Sequence, residues 1–266
     1  MPSKPATRRN AAIRIGCAGW SIATRQAHAF GEGDSLLARY ATRLDVVEIN
    51  STFYRAHQPK TFERWAATVP RDFRFSVKLP RTITHDARLV RTNDLMAAFA
   101  EQVAGLGHKL GGVLVQLPPS LVFDARTAGN FFRVLRRHFG DVPVACEPRH
   151  ASWFAPAVAN AWERYDIARV AADPPKPEGA ALPGGAGAWR YWRLHGTPRM
   201  YYSAYDETRL VALADELRRH GTPKRPAWCI FDNTAHSHAT ENALRLTELT
   251  RRPRPHHDTA TTPLQH

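Results

Sequence analysis

The chain reads as an α/β protein, a (β/α)8 TIM-type barrel with an irregular sixth crossover, and three observations predict it. Short apolar, β-branched runs alternate with longer amphipathic stretches. The alternation recurs eight times. The length, 266 residues, is that of a single such barrel.

Eight strands are predicted over Ile13–Ala18, Asp45–Asn50, Phe73–Leu79, Gly112–Leu117, Val142–Glu147, Ile167–Ala172, Arg190–His195 and Ala227–Asp232. Runs such as GVLVQL and VPVACE are almost wholly apolar, which suits parallel strands covered on both faces. Helices are expected over Ser35–Arg43, Thr61–Val69 and Asp94–Gly107, the last with Leu95, Ala98, Phe99, Gln102 and Val103 at helical spacing. Thr127–Phe139 places Phe131, Phe132, Leu135 and Phe139 on one stripe. Ser152–Tyr165, Thr208–His220 and Thr240–Thr250 complete the set, with Asp94, Thr127, Ser152 and Thr240 as expected N-caps. Residues 173–189, DPPKPEGAALPGGAGAW, hold too much Pro and Gly for a helix and read as a loop. The barrel is expected over 13–250, between a disordered basic N-terminus (1–12) and a disordered tail (251–266) rich in Pro, His and Thr.

Composition narrows the classes. No stretch approaches the roughly 20 apolar residues of a membrane helix, and no apolar run follows the first charged residues as in a secretory signal. A cytoplasmic protein with no membrane partner is expected. Cys17, Cys146 and Cys229 each fall inside an apolar strand with no C-x-x-C spacing, so buried reduced thiols are expected. The net charge is +13, of which about +8 belongs to residues 11–250. Such an excess points to an anionic partner. No G-x-G-x-x-G, Walker or G-x-S-x-G pattern is present, and nothing suggests a flavin, nicotinamide or haem.

The strand ends carry the chemistry. In (β/α)8 barrels function gathers at the C-terminal ends of the strands, and here those ends are polar: Glu48 and Asn50, Lys78, Gln116, Glu147, Arg149 and His150, Asp173, Arg193 and His195, Asp232 and Asn233. His85 lies in the loop after the third strand, and Tyr54 and Trp153 stand close behind the second and fifth. Burying charge without a partner costs several kcal/mol. Convergence on one rim therefore implies either a ligand pocket or a mutual ion-pair network in which Glu48 and Glu147 neutralise Lys78, Arg149 and Arg193.

The segments GCAGWS (16–21), VEINSTFYR (47–55), FRFSVKLPRTITH (73–85), VQLPPSL (115–121), CEPRHASWF (146–154), YWRLHG (191–196) and IFDNTA (230–235) resemble the DUF72 family, the YecE-like proteins of uncharacterised function. The resemblance spans residues 13–250 and implies a (β/α)8 barrel without implying an activity. Its motifs coincide with Glu48, Asn50, Lys78, His85, Glu147, Arg149, His195 and Asn233, which become sites by pattern. The segment after the first strand, SIATRQAHAFGEGDS, departs from the commoner family pattern.

A small phosphate- or carboxylate-bearing ligand fits these residue types best, because Arg presents a planar fork to an oxyanion and Lys a point charge. Glu147 as base with His195 or Lys78 as acid would suit a hydrolase, lyase or isomerase on an anionic substrate. The binding set is then Glu48, Asn50, Tyr54, His85, Gln116, Arg149, Trp153, Arg193, Asp232 and Asn233. No cofactor is predicted. Glu48, Glu147, His195 and Asp232 could ligate a divalent metal, but Lys78, Arg149 and Arg193 at the same rim oppose it. A nucleic-acid-binding or endonuclease-like barrel is the alternative, resting on the residual positive charge and exposed aromatics.

Overall fold

A computed structural model of the chain describes residues 12–187 and 189–251. Ten strands are present among them: β1 (Ile13–Ala18), β2 (Val46–Ile49), β3 (Arg74–Lys78), β4 (Leu110–Gln116), β5 (Val144–Glu147), β6 (Ile167–Arg169), β7 (Ala171–Asp173), β8 (Gly184–Gly185), β9 (Arg190–Leu194) and β10 (Ala227–Phe231). They form one sheet in the order β7-β9-β10-β1-β2-β3-β4-β5-β6-β8. All pairings are parallel except β6 with β8.

The ends of that order meet. β6 and β7 are halves of one stretch, interrupted only at Val170; β6 pairs with β5, and β7 pairs with β9. The Val170 amide still donates to Cys146 O at 2.9 Å. The sheet therefore closes through residues 167–173, as the sixth predicted strand requires. The outer layer is α1 (Leu36–Tyr40), α2 (Pro59–Thr68), α3 (Asn93–Val103), α4 (Ala125–Phe139), α5 (Ala159–Arg164), α6 (Glu207–His220) and α7 (His238–Arg251). Among the described residues, a 3-10 turn, Glu178–Ala181, and β8 are the elements between β7 and β9, so the sixth crossover is irregular as expected. No described helix is long and apolar enough to cross a membrane.

Strand alternation creates two apolar cores. Ile15, Val47, Phe75, Val77, Val113, Val115, Cys146 and Ile167 point outward and pack under the helices. Val46, Leu114, Ala145, Ala168, Val170, Trp189, Tyr191, Trp228 and Ile230 form a separate cluster inside the barrel. The inward set becomes polar in its last layer, because two residues beyond Val46, Leu114, Ala145, Tyr191 and Ile230 come Glu48, Gln116, Glu147, Arg193 and Asp232. All three cysteines are free and buried, and burial pushes the Cys17 thiol up to about 12.

Close backbone approach is demanded at Gly16. A Cβ there would lie 2.0 Å from Val46 O and 2.9 Å from the Tyr40 hydroxyl. That hydroxyl donates to Val46 O and accepts from the Cys17 amide, stitching β1 to β2. Gly16→Ala is expected to cost roughly 1–3 kcal/mol, read as a fall in thermal midpoint. An unchanged midpoint would contradict the tight β1–β2 approach.

Several local expectations are corrected. Residues 152–165 are not one helix. Pro156 removes an amide and favours an extended residue before it, so the segment breaks into 3-10 turns at Ala151–Phe154 and Pro156–Val158 before α5 begins. The third helix stops at Val103, and Gly107 turns with φ 52° inside a following 3-10 segment. Caps sit earlier than expected. Asp124, in extended backbone, accepts from the Thr127 amide at 2.7 Å. Thr92 precedes α3 with Asp94 in its first turn. His150 accepts from the Ser152 amide, and Thr240 lies inside α7 with its hydroxyl donating to Ser21 O. The disorder expected at the two ends falls outside the described residues, except that Ala12 is buried and α7 runs through Arg251.

Candidate functional site

The polar strand ends meet around Arg193, which is fully buried. Its Nε and Nη2 donate side-on to Glu48 Oε2 and Oε1 at 3.1 and 2.7 Å. Nη1 donates to Glu147 Oε2 at 2.6 Å, and Nη2 also reaches Asp232 Oδ2 at 3.1 Å. One guanidinium thus joins strands β2, β5, β9 and β10 across the barrel. Below it the Tyr191 hydroxyl donates to Glu48 Oε2 at 2.8 Å and contacts Ser76 Oγ at 2.8 Å, linking the charged layer to the apolar interior.

His195 bridges two carboxylates. Its Nδ1 lies 3.0 Å from Asp232 Oδ2 and its Nε2 lies 3.1 Å from Glu147 Oε1. Ionised carboxylates only accept hydrogen bonds, so both ring nitrogens carry protons and the ring is an imidazolium. Burial alone would lower the His195 pKa, but Glu147 and Asp232 outweigh it and hold it above the ordinary value. Burial would likewise raise Glu147 and Asp232. Arg193 and His195 hold both below the usual carboxylate range, Glu147 well below it, with help from Arg149. Glu147 Oε1 also accepts from Gln116 Nε2 at 3.0 Å and from Arg149 Nε and Nη2 at 3.1 and 2.9 Å.

Lys78 is different. It is 4% exposed, yet among the described residues its Nζ has no hydrogen-bond acceptor and no carboxylate at pairing distance. Its recorded neighbour is the Phe53 ring, with Nζ 4.1 Å from the centroid. Burial first, then repulsion from Arg193, pulls its pKa down to about 8, despite Glu48, Glu147 and Asp232. His85 meets the same Phe53 ring edge-on at 5.0 Å and is held by the Thr84 hydroxyl at 2.8 Å. Its pKa is lowered by burial and by the cations Arg81, Lys78 and Arg149.

The remaining expected residues divide. Asn50 Nδ2 reaches Asp232 Oδ1 at 3.5 Å, and its own Oδ1 is buried without a partner. Asn233 turns away from the rim: its Nδ2 donates to Ser203 O and Asn242 Oδ1, fastening the loop after β9. Tyr54 is 75% exposed and touches Phe53 edge-on. Trp153 is buried in the helix layer, donating to Leu121 O and packing on Phe123 and Trp162. Tyr201 was not singled out from the sequence. It takes a left-handed φ of 69°, lies beside Arg149 and sets its ring edge-on to His195 at 5.8 Å. A tyrosine-rich loop was the signal, but only the fold shows which tyrosine reaches the mouth. Tyr191 and Ser76 follow from strand alternation. Among the described residues, no group of three or more His, Cys, Asp or Glu side chains is arranged to hold a metal ion.

The fold and the charged last layer define a (β/α)8 barrel whose C-terminal mouth is closed by an ion-pair network with partly exposed polar residues around it. The chain belongs to the DUF72 family, described as a protein of unknown function, whose family model matches residues 14–265. It is similar to the UPF0759 protein YecE of Escherichia coli (strain K12), 32% identical over 123 residues, which is 46% of this chain and 44% of that one. It is also similar to the UPF0759 protein YunF of Bacillus subtilis (strain 168), 29% identical over 54% of this chain and 53% of that one. The chain thus spans about half the length of these relatives in the matched regions. Crystal structures of DUF72 family proteins share the fold. One from Thermotoga maritima has TM-score 0.75 at 22% identity, covering 90% of this chain and 99% of that one. One from Enterococcus faecalis has TM-score 0.72 at 22% identity, covering 91% and 98%.

Proposed function

We propose that the barrel mouth binds a small oxyanion, a phosphate or carboxylate group, on Lys78, with Arg149 and His85 beside it. The ammonium of Lys78, which has no acceptor among the described residues at the tip of an otherwise buried side chain, carries this reading. Glu48, Glu147 and Asp232 supply three negative charges; Arg193, Arg149 and the imidazolium of His195 supply three positive ones. The network is neutral without Lys78. Its charge is therefore surplus, and desolvation makes it costly unless an anion approaches.

The same arithmetic assigns roles. Glu147 is saturated by donors and held ionised, which makes it a poor proton acceptor. Both nitrogens of His195 are committed. Lys78, poised near pH 8, is the group suited to give or take a proton from an anionic substrate. Arg193 holds the shape of the site rather than touching the ligand.

Titration calorimetry with inorganic phosphate, and separately with small carboxylates, tests the proposal. Binding is expected to weaken as the pH rises through about 8 and Lys78 loses its proton. Lys78→Met is expected to weaken it about tenfold or more, the worth of one charge-assisted contact. The variant should be at least as stable as the parent below pH 8, since it removes a partly desolvated charge that has no acceptor among the described residues. Equal affinity in Lys78→Met, or no pH dependence, would defeat the proposal.

A further inference from the structure

In a barrel of this kind, helices cover the outer face of each strand. β6 lacks half of that cover. α5 flanks it on one side, but the crossover after β7 contributes only a 3-10 turn and β8 among the described residues. Ala168 points into the barrel core, so its neighbour Arg169 points outward into the gap. A cavity of about 230 Å³ lies there, lined among others by Phe154, Trp162, Glu163, Arg169 and Gly185.

Arg169 is poorly satisfied. Its guanidinium lies over the Phe154 ring, 4.7 Å from the centroid. Its recorded hydrogen bond is a long one, Nη2 to Leu182 O at 3.4 Å. Nε is buried without an acceptor, and Nη1 has none among the described residues. Glu163 lines the same cavity but does not pair with it at 4 Å or less. Arg193 and Arg149 behave otherwise, each presenting its Nε–Nη2 edge to a carboxylate. Gly184 lets backbone lie across the group, for a Cβ there would sit 2.5 Å from Nη2.

We infer that this helix gap is a second ligand site, separate from the mouth, which takes a small monocarboxylate with a flat apolar body. The carboxylate meets the Arg169 guanidinium and the body lies against Phe154 and Trp162. One guanidinium with Glu163 at the lip favours a single negative charge over a dianion such as phosphate. The volume lies below the ~300–1,000 Å³ of drug-sized sites, which limits the body to about one ring.

Benzoate is the probe, with benzamide as its uncharged isostere, measured by calorimetry and ligand-observed NMR on the full chain. With inorganic phosphate in excess to occupy the mouth, benzoate is expected to bind one-to-one at the gap and to weaken about tenfold or more in Arg169→Met, whereas benzamide is indifferent to that change. Glu163→Gln should tighten benzoate by a few-fold, and Lys78→Met should leave it unchanged, so this site and the mouth fail or stand separately. Thermal midpoints establish that each variant is folded, and Arg169→Lys, which keeps the charge, should retain part of the affinity. No benzoate binding to the parent at millimolar concentration, equal binding in Arg169→Met, or loss in Lys78→Met would overturn the inference.

Discussion

Arg193→Met is expected to be the most damaging single substitution at the mouth. It leaves the carboxylates of Glu48, Glu147 and Asp232 in a dry layer without the cation that joins them. Removing one partner of a buried pair typically costs about 3–5 kcal/mol, which corresponds to a fall of roughly 10 °C in thermal midpoint for a chain of this size. The deficit should shrink in acid, below about pH 4, where the stranded carboxylates take up protons. Arg193→Lys should recover only part of it, because an ammonium offers a point charge where the guanidinium reaches three carboxylates in fixed directions. Calorimetric or circular-dichroism melts check both. A midpoint within about 2 °C of the parent for Arg193→Met would mean that the network contributes little.

His195→Gln should reshape stability against pH. The folded pKa of His195 is raised above its unfolded value of about 6.5, so the folded chain keeps a proton that the unfolded chain releases. That contribution is full below pH 6.5 and is lost as the pH rises through the folded pKa. Glu147 and Asp232 have depressed folded pKa values, and part of that depression comes from His195. Their contribution is full above about pH 4 and is lost as the pH falls through the folded values. The parent should therefore exceed the variant most near pH 5–6, by about 2–3 kcal/mol, the worth of a charged hydrogen-bonded contact. The difference should narrow on both sides. Denaturant titrations across pH 3–10 measure it, and a difference that stays flat with pH would show that His195 is not charged in the folded protein.

These expectations rest on residues that the sequence exposes unequally. Glu48, Glu147, Arg193, His195 and Asp232 were legible because each ends an apolar run, and a polar residue at the end of a barrel strand faces the mouth. That Glu48 and Glu147 neutralise Arg193 and Arg149 was one of two readings of the rim and is found; that Asp232 and His195 join them and Lys78 does not was not legible. Glu48 and Arg193 are 145 positions apart and touch because closure of the sheet brings β2 and β9 to facing walls. Trp153 and Asn233 looked alike at the sequence level, both just beyond a polar strand end. Packing sends the first into the helix layer and hydrogen bonding sends the second to a loop. Helix ends were misread where proline or a cap decided them, as at Pro156 and Asp124, since capping depends on the backbone angles of the preceding residue.

By itself the sequence determined the eight strand positions of the barrel, the closed α/β architecture, the helix-poor sixth crossover and the list of charged groups at the mouth. Those properties follow from local periodicity and from which residues tolerate burial on two faces. Only the tertiary structure decided which charges neutralise one another and which is left over. Lys78 and Glu48 both alternate with apolar neighbours, yet one stands unpaired and the other is clamped by Arg193. Ion pairing depends on distance and direction across the barrel, and those exist only once the ends of the sheet have met.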